Sequence, residues 1–386
     1  MSRAGRLAAV MSIGAIIGLV PPAAAEPGTP DPAVRVTRIG GELGSVTEDV
    51  NGRGTVVGGV GVREGDKARN RPYTWTHGRL RLLDSPAGDD SSFAVRINRR
   101  GDVLVQERGG TRLLEHGRQR EFGDAAPVAL NDAGDALLST PLYQDLSNPN
   151  RALLWRDGRV VELVPPGTLP GWAVYPTALN ARGEVLLRVY GANLDTVEGS
   201  YVWRDGQFMQ LHPPGPDGIV APRFLDDWGR VSGTAGAPGA AAIWDREGHV
   251  ANLPIVGGAV GFDVRDANNS GQLVGYTAFP DGTNRVTVYT AGRPTLLPAN
   301  PGSTPAGHSV EINDRGQVAW TEQRDDDSEP VGFAWWSGRH VALGAGTVVD
   351  IGDGGDIIGF EQPDGNGTGT FGRHWAVDWR TVLHRR

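Results

Sequence analysis

The stretch that decides the fold is Ile312–Trp320, "INDRGQVAW", two short apolar runs on either side of an N-x-x-G turn. The same phrase stands at Ile97–Val105 ("INRRGDVLV"), Leu130–Leu138 ("LNDAGDALL") and Leu179–Leu187 ("LNARGEVLL"). Extended outward, turns of this kind begin at Asn51, Asn98, Asn131, Asn180, Asp226, Asn268, Asn313 and Gly352, spaced 33 to 49 residues apart. A repeat of that period marks a modular architecture.

Two further marks keep the same register. A large apolar residue, then two residues (three in the fifth copy), then usually Gly recurs as "WTHG" at Trp75, "LEHG" at Leu114, "WRDG" at Trp155 and Trp203, and "WDREG" at Trp244. It continues as "YTAG" at Tyr289, "WWSG" at Trp335 and "WAVD" at Trp375. Five residues beyond each turn position stand Leu83, Phe122, Leu163, Leu211, Leu253, Leu297, Leu343 and Leu383. Each unit therefore reads as four short strands, a to d. Asn and Gly in the a–b turn and Gly in the c–d turn supply the left-handed conformations that tight turns need. The runs between turns are short and rich in Val, Leu, Ile and aromatics, and no helical period persists over a useful length.

Four-stranded meanders at this spacing predict an all-β β-propeller, with eight blades as the first reading and seven as the second. Seven would require the short unit from Asn98 to Asn131 to be degenerate. "VRVTRIGG", Val34–Gly41, reads as an extra strand of type d, while "TVLHRR" at the other end reads as the last unit's own strand d. Both cannot serve the same blade. The recurring Trp is expected to pack between blades.

The N-terminus reads as a secretory signal over 1–25, with Arg3 and Arg6, the apolar run Leu7–Val20 and an A-x-A site at Ala23–Ala25. A Pro/Gly-rich linker over 26–33 leads to the propeller, 34–386. These features predict a secreted chain with no membrane span after removal of the signal. The formal charge of −8 would fall to −10 without Arg3 and Arg6, a poor match to nucleic acid, which needs a basic footprint. With no cysteine, disulfide frameworks and thiolate metal sites are excluded. A chain of this size buries enough core to stand as a monomer without staples.

The repeat also resembles the extracellular HAF-repeat family. "IN-x-x-G-x-V", then "A-x-x-W-x-x-G", then a Leu carries the resemblance, best in "INDRGQVAW" with "GFAWWSGRHVAL" and "LNDAGDALL" with "RALLWRDGRVVEL". The His-Ala-Phe that names the family is replaced by "PYTW", "RALLW" and "GFAWW". The resemblance implies a propeller-like fold in a secreted bacterial protein and carries no catalytic set.

Function is sought where the units differ. Two residues before each turn stand, in order, Asp49, Arg96, Ala129, Ala178, Phe224, Asp266, Glu311 and Asp350. In a closed ring the last unit adjoins the first, so Asp266, Glu311, Asp350, Asp49 and Arg96 form one arc. Such an arc can be inter-blade ion pairing, Asp49 with Arg96 for example, or the lining of a solvated channel. It can also bind a polar ligand or a cation through oxygen ligands, or act as a paired-carboxylate acid–base set. His308, entering strand a of the seventh unit, is the histidine nearest this arc. "DGNGTG" offers Asp364, Asn366 and Thr368 as the opening of a Ca2+ loop, but the twelfth position is Trp375 where a Glu is needed. Long loops fall on the b–c and d–a face, so function is expected there. The expectation is a non-enzymatic module that binds an extracellular polymer or protein without a cofactor. The alternative is a polysaccharide hydrolase or lyase using the acidic arc.

Overall fold

The computed structural model describes residues 29–85, 91–141, 149–215, 220–236, 239–298, 303–324, 329–362 and 370–385, leaving aside the side chains of 303, 306–309 and 324. It is an eight-bladed β-propeller of four-stranded antiparallel sheets, and one short helix is the only helix among the described residues. The innermost strands are Ser45–Val50, Phe93–Ile97, Ala126–Leu130, Ala173–Leu179, Val220–Leu225, Gly261–Ala267, Ser303–Ile312 and Thr347–Ile351, strand a of blades 1 to 8.

The turns behave as the sequence demands. The Gly closing every a–b turn, from Gly54 to Gly355, has φ between +72° and +93°. Six c–d turns have positive φ at both central residues, His77–Gly78 and Ser337–Gly338 among them. That is the type I′ geometry whose twist matches two paired strands. The residue before each of these turns sits against the first residue of strand b, as in Val56 opposite Trp75, Ala136 opposite Trp155 and Val185 opposite Trp203. Trp75, Trp155, Trp203, Trp244, Tyr289 and Trp375 are buried, so they fill the space between blades as expected.

The short unit is a full blade. Its strands are Phe93–Ile97, Val103–Glu107, Gly110–Glu115 and Arg118–Glu121, joined b to c by only Arg108 and Gly109. Gly110 makes this possible: at φ +142° it passes so close to the Gly123 carbonyl that a Cβ would overlap it.

Ring closure departs from the sequence reading at the C-terminus. Strand Val34–Ile39 pairs antiparallel with Phe371–Val377 and becomes the outer strand of blade 8. "TVLHRR" is not a strand. Trp379–His384 is a helix, N-capped by Asp378, whose side chain accepts from the Thr381 N–H. Asp378 replaces the turn Gly of the other units, and an Asp there starts a helix instead of a hairpin. Trp379 and Val382 bury the helix against the outer part of blade 7, where Trp379 meets Trp336 edge to face. Asp31 and Arg385 pair beside the closing strand.

Candidate functional site

The blades meet around a central channel, and the a–b turns form one mouth of it. Each turn Asn has a double task. Its Oδ1 accepts the N–H groups two and four residues on, as Asn98 does from Arg100 and Asp102. Its Nδ2 donates to the backbone carbonyl of the next turn start in six junctions: Asn51 to Asn98, Asn98 to Asn131, Asn131 to Asn180, Asn180 to Asp226, Asn268 to Asn313, and Asn313 to Gly352, at 2.9–3.0 Å. In five units the same Nδ2 also reaches a buried or half-buried acceptor four residues on: Asp102, Asp135, Glu184, Gln272 or Gln317. The pattern N-x-x-G-[D/E/Q] was present in the sequence, but only its Asn and Gly were given a role.

The arc lies two residues before these turns. In seven inner strands one extra residue is inserted immediately ahead of it, for example between Thr47 and Asp49 and between Val264 and Asp266. A bulge bends the strand and re-aims the side chain that follows. Asp49 Oδ2 accepts the Ile97 N–H of the next blade at 2.8 Å, Asp266 Oδ2 accepts Ile312 N–H at 2.7 Å, and Asp350 Oδ2 accepts Val50 N–H at 3.3 Å. Arg96 makes the reverse bond, its Nε donating to the Val128 carbonyl of the next blade at 3.0 Å and its Nη1 to the Val95 carbonyl. These side chains therefore fasten neighbouring inner strands to each other.

The four carboxyls also meet each other. Asp49 lies beside Asp350, and Asp266 beside Glu311, close enough within each pair to share a proton. Two carboxyl groups can bond only by sharing a proton, so each pair resists full ionisation. Burial, set against the N–H groups of Ile312 and Ala267, pushes Asp266 up to about 6. Burial and the charges of Asp266 and Asp350 hold Glu311 well above the usual carboxylate range, and burial with the Asp49 charge does the same for Asp350. Burial also raises Asp49 and neighbouring Glu48, with the Arg96 guanidinium pulling both back. Arg96 thus acts on Asp49 through its charge while its N–H groups serve carbonyls.

The arrangement is poor for a cation. Among the described residues, only Asp102/Glu115/His116 and Asp245/Glu247/His249 bring three ligand atoms close enough to share an ion, and the channel carboxyls do not. Asp102 is already held by Asn98 and Arg100, and the second cluster is fully exposed. Asp364, Asn366 and Thr368 lie outside the described residues, and His308 is on the inner strand of blade 7 with its side chain also outside them.

Two cavities flank the channel. One, of about 520 Å3, opens on the tight-turn face, lined by the turn residues and Asp350. The other, of about 580 Å3, opens on the long-loop face between blades 5 and 6, where Arg223, Asp263, Arg265, Tyr276 and Asn284 converge. Asp263 lies 2.6 Å from Arg265 and 3.8 Å from Arg223. Arg265 also stacks on Tyr276 at 5.2 Å, and burial pushes the Tyr276 hydroxyl up to about 12. Sequence reading missed this group: Arg223 and Arg265 both stand three residues before their turns, but Asp263, Tyr276 and Asn284 fall in other columns.

No protein-family model matches the chain, and no curated protein matches it in sequence. Solved structures match the fold. A prolyl endopeptidase, described for the role of inter-domain dynamics in catalysis and specificity, aligns over 79% of this chain and 50% of its own at 14% identity, with a TM-score of 0.53. Dipeptidyl peptidase 4 of Porphyromonas gingivalis aligns over 83% and 56% at 9% identity, TM-score 0.58. The β-propeller domain of the Trilobed protease of Pyrococcus furiosus, described as having an open velcro topology, aligns over 78% and 98% at 12% identity, TM-score 0.45. The chain spans about half the length of the first two structures. At these identities the likeness is one of fold.

Proposed function

We propose that the protein is a secreted, non-enzymatic binding module that meets an extracellular glycan or related polymer at the loop-face crevice between blades 5 and 6. The observation that carries this is the Arg223–Asp263–Arg265–Asn284 row over the aromatic ring of Tyr276. A sugar hydroxyl donates one hydrogen bond and accepts others. A row that combines guanidinium, carboxylate and amide offers both roles. Polar groups converging in an apolar-walled cleft are the usual form of a small-ligand site. The leader-like N-terminus and the resemblance to HAF repeats support the extracellular location.

The test is a screen of glycans and cell-wall polymers against the mature chain and the R223A/N284A variant. A polymer should bind, and the variant should bind it roughly tenfold more weakly or worse, a loss of about 1.4 kcal/mol or more. No polymer bound, or equal binding by the variant, would contradict the reading.

A second reading, a polysaccharide hydrolase or lyase, is favoured by one observation, the two proton-sharing carboxyl pairs. It requires new reducing ends or unsaturated products from a bound polymer, abolished in E311Q. Their absence leaves the carboxyls as joints of the ring.

A further inference from the structure

The eight junctions are not equally fastened. Each carries up to two polar links near the channel: the turn Asn to the next carbonyl, and the arc residue to the next inner strand. Junctions 1/2, 2/3 and 6/7 have both. Junction 7/8 has the Asn link, together with Glu311 beside Asp350. Junction 8/1 lacks the Asn link but has Asp350 on Val50 N–H, the Asp49–Asp350 pair and the closing strand. Junctions 3/4 and 4/5 lack the arc link, since Ala129 and Ala178 are apolar, but keep the Asn link. Arginine clamps reinforce them, Arg156 to the Arg182 carbonyl, and Arg204 and Arg246 to Glu184 or to the Gly229 carbonyl.

Junction 5/6 alone has neither link among the described residues. Its arc residue is Phe224, and its turn residue is Asp226, an acceptor that cannot donate to the Asn268 carbonyl. The polarity of this turn is reversed: Asp226 accepts from Arg230, where five other units pair an Asn donor with Asp, Glu or Gln. What crosses the seam is Asp227 N–H to Asn269 Oδ1 at 2.8 Å, Phe262 N–H to the Gly239 carbonyl at 3.2 Å, the Tyr289 hydroxyl to the Pro254 carbonyl at 3.0 Å, the Arg223–Asp263 ion pair at 3.8 Å on the loop face, and Arg230 to the Asn269 carbonyl at 3.5 Å. The last is at the limit of a hydrogen bond. The rest is apolar, with the small Ala241 packed beside Phe262 and Val264. The loop-face cavity lies along this seam, and the turn-face one is lined by the turns of all eight blades. The turn-face one reaches into the seam past Val231, Ser232, Ile243 and Leu273, and Ser232, only 8% exposed, makes no side-chain hydrogen bond among the described residues.

We infer that the blade 5–6 seam is the joint at which the ring yields, and that Phe224 and the Asp226/Arg230 reversal are the residues that loosen it. The inference rests on the binding reading only where it takes the seam to admit the ligand. Locally weak, cooperative openings of this kind are where binding sites are commonly drawn from.

The chain has no cysteine, so single thiols report local opening cleanly. Ala241 and Ala152 are both fully buried, both three residues before the strand c Trp, and line the 5/6 and 3/4 seams respectively. Under native conditions A241C should react with a thiol reagent at least tenfold faster than A152C, a difference of about 1.4 kcal/mol in opening free energy. Adding D226N/R230Q, which copies the Asn268/Gln272 pair of blade 6, should slow A241C toward the A152C rate and leave A152C unchanged. Equal rates, or no slowing by the repair, would overturn the inference. Matched thermal midpoints of the two cysteine variants separate seam opening from global destabilisation. A polymer found in the screen should alter A241C labelling. If no polymer binds, the binding reading fails, while the ratio of the two rates still decides whether the seam yields.

Discussion

The channel wall has two halves, and they hold the ring by different chemistry. From blade 6 through blade 8 to blade 2 the arc residues are Asp266, Glu311, Asp350, Asp49 and Arg96, which bond the next inner strand or one another. From blade 3 to blade 5 they are Ala129, Ala178 and Phe224, and the bulge ahead of each follows a proline, Pro127, Pro176 or Pro222. A proline at a bulge forgoes a ladder donor without leaving it unsatisfied. Here the polar fastening has moved outward, to Glu184 with its two arginines and Asp135 with Arg156. One fold thus uses polar staples at the axis on one side and arginine clamps away from the axis on the other.

The sharpest break in this comparison is E184A, on the apolar side. Glu184 is 6% exposed and faces both Arg204 and Arg246. Removing it leaves a buried guanidinium without its partner. Arg246 is partly solvated, so the loss in urea unfolding should be about 2–3 kcal/mol, below the figure for a fully buried pair. N98A should follow at about 2 kcal/mol, because it deletes the turn acceptor and the link to blade 3 together. D226N/R230Q should stabilise by about 0.5–1 kcal/mol, by exchanging the long Arg230 contact for a direct bond to the Asn268 carbonyl. W228A should be the smallest, within about 0.5 kcal/mol, since Trp228 is 60% exposed and its ring lies under the Arg182 guanidinium at 5.7 Å. If W228A cost as much as N98A, the division between fastened and free turn residues would be wrong.

Much of this was legible in the sequence. The Asn turns, the Trp and the Leu fixed four strands per unit, and counting them gave eight blades. Closure was half legible: Val34–Ile39 was visible as a strand with no blade of its own, but Leu383 fell at the repeat offset and disguised a six-residue helix. Asp378 in place of Gly was the available signal. The arc was found because its column varies while its neighbours do not. Its pairing was not foreseen, because the expected partner of Asp49 was Arg96. The bulges turn Asp49 toward Asp350 and the Ile97 N–H instead, and a bulge leaves no mark in hydrophobic periodicity. The loop-face crevice was invisible for a plainer reason: Arg223, Asp263 and Asn284 meet only once blades 5 and 6 are side by side.

The proton-sharing pairs have a sign that can be measured. Asp266, Glu311 and Asp350 have folded values above those of the unfolded chain, so the folded state holds their protons more tightly. Their contribution to stability is complete below the unfolded values near 4 and is lost as pH rises through the folded ones, about 6 for Asp266. Burial lowers His340, which works in the opposite direction below its usual value. The difference between wild type and E311Q/D350N cancels that background. In each pair the amide donates permanently where a proton was shared.

Urea unfolding of both proteins from pH 5 to pH 8 therefore tests the account most directly. Wild type should lose stability relative to the variant across that range, by about 1–3 kcal/mol in total. A difference that stayed flat, or that ran the other way, would mean the channel carboxyls are ionised separately and do not pair across the blades.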